Sequence, residues 1–234
     1  MTLPDTPSPK PMRILAVSDL HGDLGSVRDA LARFRPDALV SCGDWGDAFE
    51  VDESVLGEIV ARVPVATTFG NHDPVDVLAR LRNTDGTPIL IGQGEVRTFA
   101  GLRVAAIGGI WAKSHRLPHY VTDDDVAGFA ARVMASGPVD VLLTHGCPIG
   151  MADLTTTDRR GGQRCFLDAS REIAPRIHLC GHLHRAQERV LRDGRIIMNV
   201  GATPGGTVVV IESESEHLSA RLERFERGMI HDGL

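Results

Sequence analysis

Short continuous apolar runs alternate with amphipathic stretches along the first third of the chain. Ile14-Leu15-Ala16-Val17, Ala38-Leu39-Val40 and Val65 to Phe69 are runs of the buried-strand type. Between them the apolar positions switch to a helical period. Val27, Ala30, Leu31 and Phe34 share one face of a helix expected from Ser26 to Phe34, with Ser26 as its N-cap. Val55, Leu56, Ile59 and Val60 form a second stripe behind a capping Asp52. This βαβαβ order predicts parallel strands with right-handed crossovers.

Further along, Pro74 to Arg82 reads as a helix with Asp73 as cap and proline at its first position. Glu95 to Phe99 and Leu102 to Ile107, split by Ala100-Gly101, read as a hairpin. Trp111 to Thr122 is irregular and polar, and Asp123 to Ala135 is helical. Val139 to Leu143 is a strand, followed by a long loop from Gly146 to Gln163, a helix from Cys165 to Ile173 and a strand from Ile177 to Cys180. The last sixty or so residues carry hairpin-like strands around Val190, Ile196 to Met198, Val208 to Ile211 and Leu218 to Leu222. The expected architecture is two sheets flanked by helices. A parallel set would lead into the first polar sites, and a more antiparallel set into the last ones. Residues 12–225 are expected to form one domain between a flexible tail over 1–11 and a C-terminal tail over 226–234.

Composition narrows the classes. Apolar residues make up 42% and charged residues 24%, as in an ordinary globular chain. The net charge of −6 argues against long nucleic acid as a partner, because that needs a broad basic face. It leaves small phosphate esters open, since bound cations supply local positive charge. No run is long and apolar enough to span a bilayer, and Met1 to Pro11 lacks the apolar centre of a signal peptide. The cysteines at 42, 147, 165 and 180 form no CxxC pair, which points to reduced thiols and a cytoplasmic protein. Cys42 and Cys180 read as core fillers. Cys147 sits two residues past His145, where loop packing is favoured over metal ligation.

Five polar signals follow the apolar runs: Asp19-Leu20-His21, Gly43-Asp44, Gly70-Asn71-His72-Asp73, Thr144-His145 and Gly181-His182-Leu183-His184. Each is weak alone. Asp19 would suit a turn cap, His21 a satisfied loop histidine, and Asp73 a helix cap. Their conjunction is not weak, because half of the ten histidines fall inside the signals and every signal follows a strand. Strand ends are where loops converge on a ligand.

The ordered set D-x-H, G-D-x-x-D, G-N-H-D, T-H and G-H-x-H resembles the calcineurin-like metallophosphoesterase superfamily from Arg13 to about Val210. The resemblance implies an α/β fold, a four-layer α/β/β/α sandwich with two mixed sheets, and two divalent metal ions on its loops. By motif position, one ion would be held by Asp19, His21, Asp44 and His184. The other would be held by Asp44, Asn71, His145 and His182, with Asp44 bridging. Such imidazole, carboxylate and amide donors suit manganese first, then iron or zinc, over magnesium or calcium. Two ions about 4 Å apart would share a hydroxide for in-line attack on phosphorus. The resemblance assigns His72 to the leaving group or the phosphoryl oxygens. Asp47 would be its partner, with a solvated loop carboxylate as the alternative. Arg159, Arg160 and His115 are candidates for substrate contact, and His115, Arg116 and His119 for a rim or lid. His178 reads as structural, His217 and His231 as surface residues, and Asn199 as a support.

The chain departs from the superfamily in two places. Cys147 stands where many members have proline, and Ala48-Phe49 follows Asp47 where the protein-phosphatase branch has Arg-Gly. With the small size, this favours a phosphodiesterase, cyclic nucleotides included, over a phosphoprotein phosphatase. The rival expectations are a phosphomonoesterase on nucleotides or small phosphates, and a non-catalytic interaction module of the same fold.

Overall fold

The computed structural model describes residues 11–214 and 217–228. The expected N-terminal tail, apart from Pro11, lies outside the described residues, as do His231 and the end of the expected C-terminal tail. Phe225 packs edge-on against Phe34, and Arg227 pairs with Asp23 at 2.7 Å.

Three parallel strands open the chain: β1 (Met12–Val17), β2 (Ala38–Ser41) and β3 (Val65–Thr67). They are linked by α1 (Leu24–Phe34) and α2 (Glu53–Arg62), as the periodicity predicts. Asp52 caps α2 by accepting from the Val55 N–H. At α1 the cap is Asp23, not Ser26. Ser26 lies inside the first turn, fully buried, and its hydroxyl donates to the Asp23 carbonyl. The helix starts earlier because Asp23 supplies the capping acceptor just ahead of Leu24.

After the short α3 (Val75–Arg80) come the hairpin β4 (Val96–Phe99) and β5 (Leu102–Ile107), then the two-residue strands β6 (Ile110–Trp111) and β7 (Tyr120–Val121). These last two lie within and beside the stretch expected to be irregular. Next are α4 (Asp123–Ala135), β8 (Val141–Thr144), α5 (Arg164–Ile173) and β9 (Ile177–Cys180). The chain then runs through β10 (Gln187–Val190), β11 (Ile196–Asn199), β12 (Thr207–Glu214) and β13 (His217–Arg224). The first sheet has the order β13-β12-β1-β2-β3 and the second β10-β11-β9-β8-β5-β4. The centre of the second sheet corrects the expectation of an antiparallel set. β5, β8, β9 and β11 are mutually parallel, and only β4 and β10 run against them. The α4 and α5 segments act as crossovers, which parallel neighbours require.

Alternation along the strands creates the layers. Leu15, Val17, Val208 and Val210 face α1 and α2, whereas Ile14, Ala16, Val209 and Ile211 face the second sheet. There, Val104, Ala106, Val141 and Leu143 meet them, while Ala105, Ile107 and Leu142 pack on α4 and α5. The result is the four-layer α/β/β/α sandwich. Among the described residues no helix is long and apolar enough to cross a membrane.

The inter-sheet layer carries much of the stability. Leu143→Ala, at a fully buried position, should cost about 2–5 kcal/mol in urea unfolding. Val190→Ala on the exposed β10 should stay within about 0.5 kcal/mol of the parent.

Candidate metal centre

The loops leaving β1, β2, β3, β8 and β9 meet at one edge of the sandwich. Two of them are laced together by backbone: the N–H groups of Asp19, Leu20 and His21 donate to the carbonyls of Gly43 and Asp44. That lacing needs unusual backbone. Asp19, His21, Asp44, His182 and His184 all adopt left-handed φ, between 46° and 68°. Five of the seven candidate donors therefore sit in a conformation disfavoured for side-chain-bearing residues, which surrounding contacts must hold. The packing leaves no room for a side chain at Gly70. A Cβ there would lie 2.0 Å from Asp44 Oδ1.

Asp19, His21 and His184 form one group of donors. The Nε2 atoms of His21 and His184 face each other at 3.0 Å, with Asp19 Oδ1 3.6 Å from His184 Nε2. Asp44 Oδ2 is 3.8 Å from His21 Nε2 and joins this group to the next. Burial lowers the pKa of His21 and raises that of Asp19, so the protein disfavours the charged form of both.

Asp44, His145 and Asn71 form the second group. His145 Nδ1 lies 2.8 Å from the Cys42 carbonyl and must donate to it. Its Nε2 then points at two acceptors, Asn71 Oδ1 at 3.1 Å and Asp44 Oδ2 at 3.3 Å. Three electron-rich atoms converge there, and only a proton or a cation between them satisfies the arrangement. Without a cation the proton takes the place. Burial opposes it, but Asp44 and Asp19 outweigh burial and push His145 up to about 10. Burial also works against ionised Asp44, yet His145 and the His72 N–H hold it well below the usual carboxylate range. The His182 ring packs 5.2 Å from that of His145, and burial with the neighbouring His145 charge brings its pKa down to about 4.

Beside both groups, His72 Nδ1 lies 2.8 Å from Asp47 Oδ1. His21 Nδ1 is 3.8 Å from the same oxygen, and the rings of His21 and His72 meet edge-on at 4.7 Å. The hydrogen bond from His72 lowers the Asp47 pKa.

The calcineurin-like phosphoesterase family matches residues 12–186, spanning all five polar signals. The chain belongs to this family. Calcineurin-like phosphoesterases typically bind divalent metals, and the two donor groups fit that chemistry. Solved structures share the fold at low identity. TT1561 of Thermus thermophilus is 13% identical with a TM-score of 0.67, over 90% of this chain and 98% of that one. GAP50, the anchor in the inner membrane complex of Plasmodium, is 12% identical with a TM-score of 0.62, over 94% and 87%. The 5′-nucleotidase of Candida albicans SC5314 is 15% identical with a TM-score of 0.54, over 92% of this chain and 51% of that one. Among curated proteins none matches the chain.

In this calcineurin-like phosphoesterase, sequence reasoning misplaced Asp73. Helix α3 begins one residue later than expected, with Pro74 at its cap and no side-chain bond. The Asp73 carboxylate turns inward and accepts from the N–H groups of Asp44, Trp45, Gly46 and Gly70 at 2.7–3.2 Å. Those four donors outcompete the helix N-terminus, so Asp73 ties the Asp44 loop to the Asn71 loop. Burial pushes its carboxyl up to about 6. No pattern in the chain marks this role, because Asp before Pro is also the ordinary cap signature. Asn199 lies in the expected neighbourhood: its amide donates to the Gly181 carbonyl at 2.9 Å and to Cys147 Sγ at 3.1 Å. Cys147 is buried, and its thiol donates to the same carbonyl.

Two of the three candidate substrate contacts pair with carboxylates of the chain. Arg160 pairs with the buried Asp153, and His115 with Asp125 in the capping box of α4. Arg159 is exposed on the 146–163 loop.

His178 is structural, as expected. The Thr144 hydroxyl donates to the Gly146 carbonyl at 2.7 Å, so His178 Nε2–H donates to Thr144 Oγ1 and Nδ1 accepts from Ser170. Burial brings its pKa down to about 3 from the ordinary 6.5. The unfolded chain takes up this proton first, so the stability it confers is present above pH 6.5 and is lost as pH falls toward 3. Urea unfolding should lose about 2 kcal/mol from this group between about pH 7 and pH 5. His178→Gln should show a correspondingly flatter acid limb.

Proposed function

We propose that the chain is a metal-dependent hydrolase of small phosphate esters, with diesters ahead of monoesters. The observation that carries this reading is the cluster of donors in which Asp44 Oδ2 lies 3.3 Å from His145 Nε2 and 3.8 Å from His21 Nε2, with Asp19 and the His72–Asp47 pair alongside. Asp19, His21 and His184 would hold one divalent cation, and Asn71, His145 and His182 the other, with Asp44 shared. The donor set favours manganese, then iron or zinc. When bound, the cations supply Lewis acidity to the phosphoryl group and to the attacking water.

The chain's own residues then orient and move protons. Asp47 Oδ1 accepts from His72 Nδ1, which fixes the ring and leaves Nε2 to act. In the doubly protonated ring Nε2–H would give its proton to the departing oxygen as water adds to phosphorus and the P–O bond to the leaving group breaks, and the proton that the water releases would restore the ring. Asp73 and the His72 N–H keep Asp44 in register throughout. The preference for diesters rests on charge. Arg160 and Arg185, on the two loops that follow His145 and His184 in the chain, are bound to Asp153 and Asp158, so both guanidiniums already answer carboxylates of the chain. A monoanionic diester needs less neutralisation than a dianionic monoester. The buried free thiols accord with a reducing, cytoplasmic compartment.

With manganese added, a panel of cyclic nucleotides, bis-aryl diesters and monoesters should show diesters turned over faster. Equal or greater monoesterase activity would replace the diester reading. Metal analysis should find two ions per chain, with both sites weakened in Asp44→Asn and mainly one in Asp19→Asn. Ions at roughly a hundredfold excess over Kd should raise the melting temperature by roughly 5–10 °C, reversed by chelation. A melt unchanged by verified metal removal would count against the centre.

His72→Ala should keep both ions yet slow turnover. The loss should be larger for an alkoxide leaving group than for p-nitrophenolate, which departs without a proton. Asp47→Asn should follow the same pattern more weakly. Equal losses on both classes would leave His72 as a phosphoryl-binding group instead.

A further inference from the structure

The turn that carries Asp47 also carries an aromatic side chain that the proton-transfer role leaves unexplained. Asp47 and Glu50 exchange backbone hydrogen bonds at 2.9–3.0 Å, and the Ala48 N–H donates to Asp47 Oδ1 at 3.0 Å. Between them, Ala48 and Phe49 are both left-handed, with φ of 49° and 67°. A phenylalanine in that region is strained, and no glycine relieves it. The Phe49 N–H donates to the His72 carbonyl at 3.1 Å, so the turn is pinned to the same histidine that Asp47 orients.

The strained turn holds the phenyl ring half in solvent, at 50% exposure. One side of it stacks on His119, with centroids 5.5 Å apart and planes at 26°. His119 is buried and braced edge-on by Tyr120 at 4.9 Å. Burial lowers the pKa of His119, which disfavours the charged form of the ring stacked on Phe49. The stack ties it to the centre through Phe49, whose N–H is bonded to the His72 carbonyl. A cleft of about 410 Å³ opens alongside, with Phe49, His119, Pro74 and Val75 in its wall together with Asp73 and Asp76. That is room for a planar ring.

We propose that Phe49, backed by His119, is a specificity-determining ledge on which a planar aromatic leaving group of the ester, a nucleobase or an aryl ring, stacks. This rests on the phosphoesterase reading above. The ledge lies on the leaving-group side because Phe49 and Asp47 share one turn and both are tied to His72. Stacking on such a ring is tolerant of which aromatic it receives, and is worth about tenfold or more in affinity.

The test is calorimetric binding of phenyl phosphate, 5′-AMP and methyl phosphate to the manganese-loaded protein, for the parent, Phe49→Ala and Phe49→Leu. The parent should bind an aromatic phosphate at least about tenfold more tightly than methyl phosphate. Phenyl phosphate and 5′-AMP separately report whether an aryl ring or a nucleobase is preferred. Phe49→Ala should bring the ratio close to one, and Phe49→Leu should recover little of it. A ratio near one in the parent, or unchanged in Phe49→Ala, would overturn the ledge. Full retention in Phe49→Leu would also overturn it, since bulk rather than a π-face would then suffice. Melting curves of the two variants should match the parent, because Phe49 is half exposed. Turnover of these monoesters together with a cyclic nucleotide and a bis-aryl diester separates the two proposals. Hydrolysis without aromatic discrimination rejects the ledge alone, whereas Phe49-dependent binding of the aromatic phosphates without hydrolysis of any monoester or diester leaves Phe49 a stacking surface and rejects the phosphoesterase reading.

Discussion

Everything at the sheet edge is arranged around one buried carboxylate. Asp44 sits at left-handed φ, takes the His72 N–H on one oxygen, and turns the other toward His145 and His21. A buried anion is costly unless something positive answers it. Here the answers are a protonated His145 or a bound cation. The surrounding loops are built to keep that choice open. Asp73 gathers the backbone N–H groups on either side, and the Cys42 carbonyl dictates which nitrogen His145 offers. Trp45, fully buried with its indole N–H on Thr67, anchors the same loop in the helix-side core.

The sandwich makes this convergence possible. Parallel strands in both sheets send their carboxyl ends to one edge, and the alternation of their side chains fills three apolar layers. The edge itself is left to polar residues. His178 belongs to the layer between the second sheet and α5, yet its hydrogen bond to Thr144 steadies the turn that presents His145. Core and site therefore share residues at β8, and a neutral imidazole in one supports the geometry of the other.

The turn from Asp47 to Glu50 presents a carboxylate and an aromatic ring within four residues. Its carboxylate orients His72, and its strained phenyl ring faces solvent beside His119. Strain of this kind persists only where neighbouring bonds over-determine it, and here the His72 carbonyl and the Asp47 carboxylate do so.

The chain by itself determined the elements, the family and the cast of polar residues. Apolar period separated strand from helix almost everywhere, because burial on one face leaves a pattern that local chemistry cannot hide. The candidate donors were legible for a similar reason. Asp19, His21, Asp44, Asn71, His145, His182 and His184 each follow a strand, and the structure gathers them at one edge. Tertiary structure alone decided which partner wins where local signals allow several. Asp73 and Ser26 carry the chemistry of helix caps, yet one serves three N–H groups of the Asp44 loop and that of Gly70, and the other lies buried in the first turn. The parallel pairing of β9 with β11, the pairing of His115 with Asp125, and the stacking of Phe49 on His119 were likewise out of reach. The first two depend on how the intervening segment folds back, the last on a left-handed turn without glycine, and none of these leaves a periodic trace.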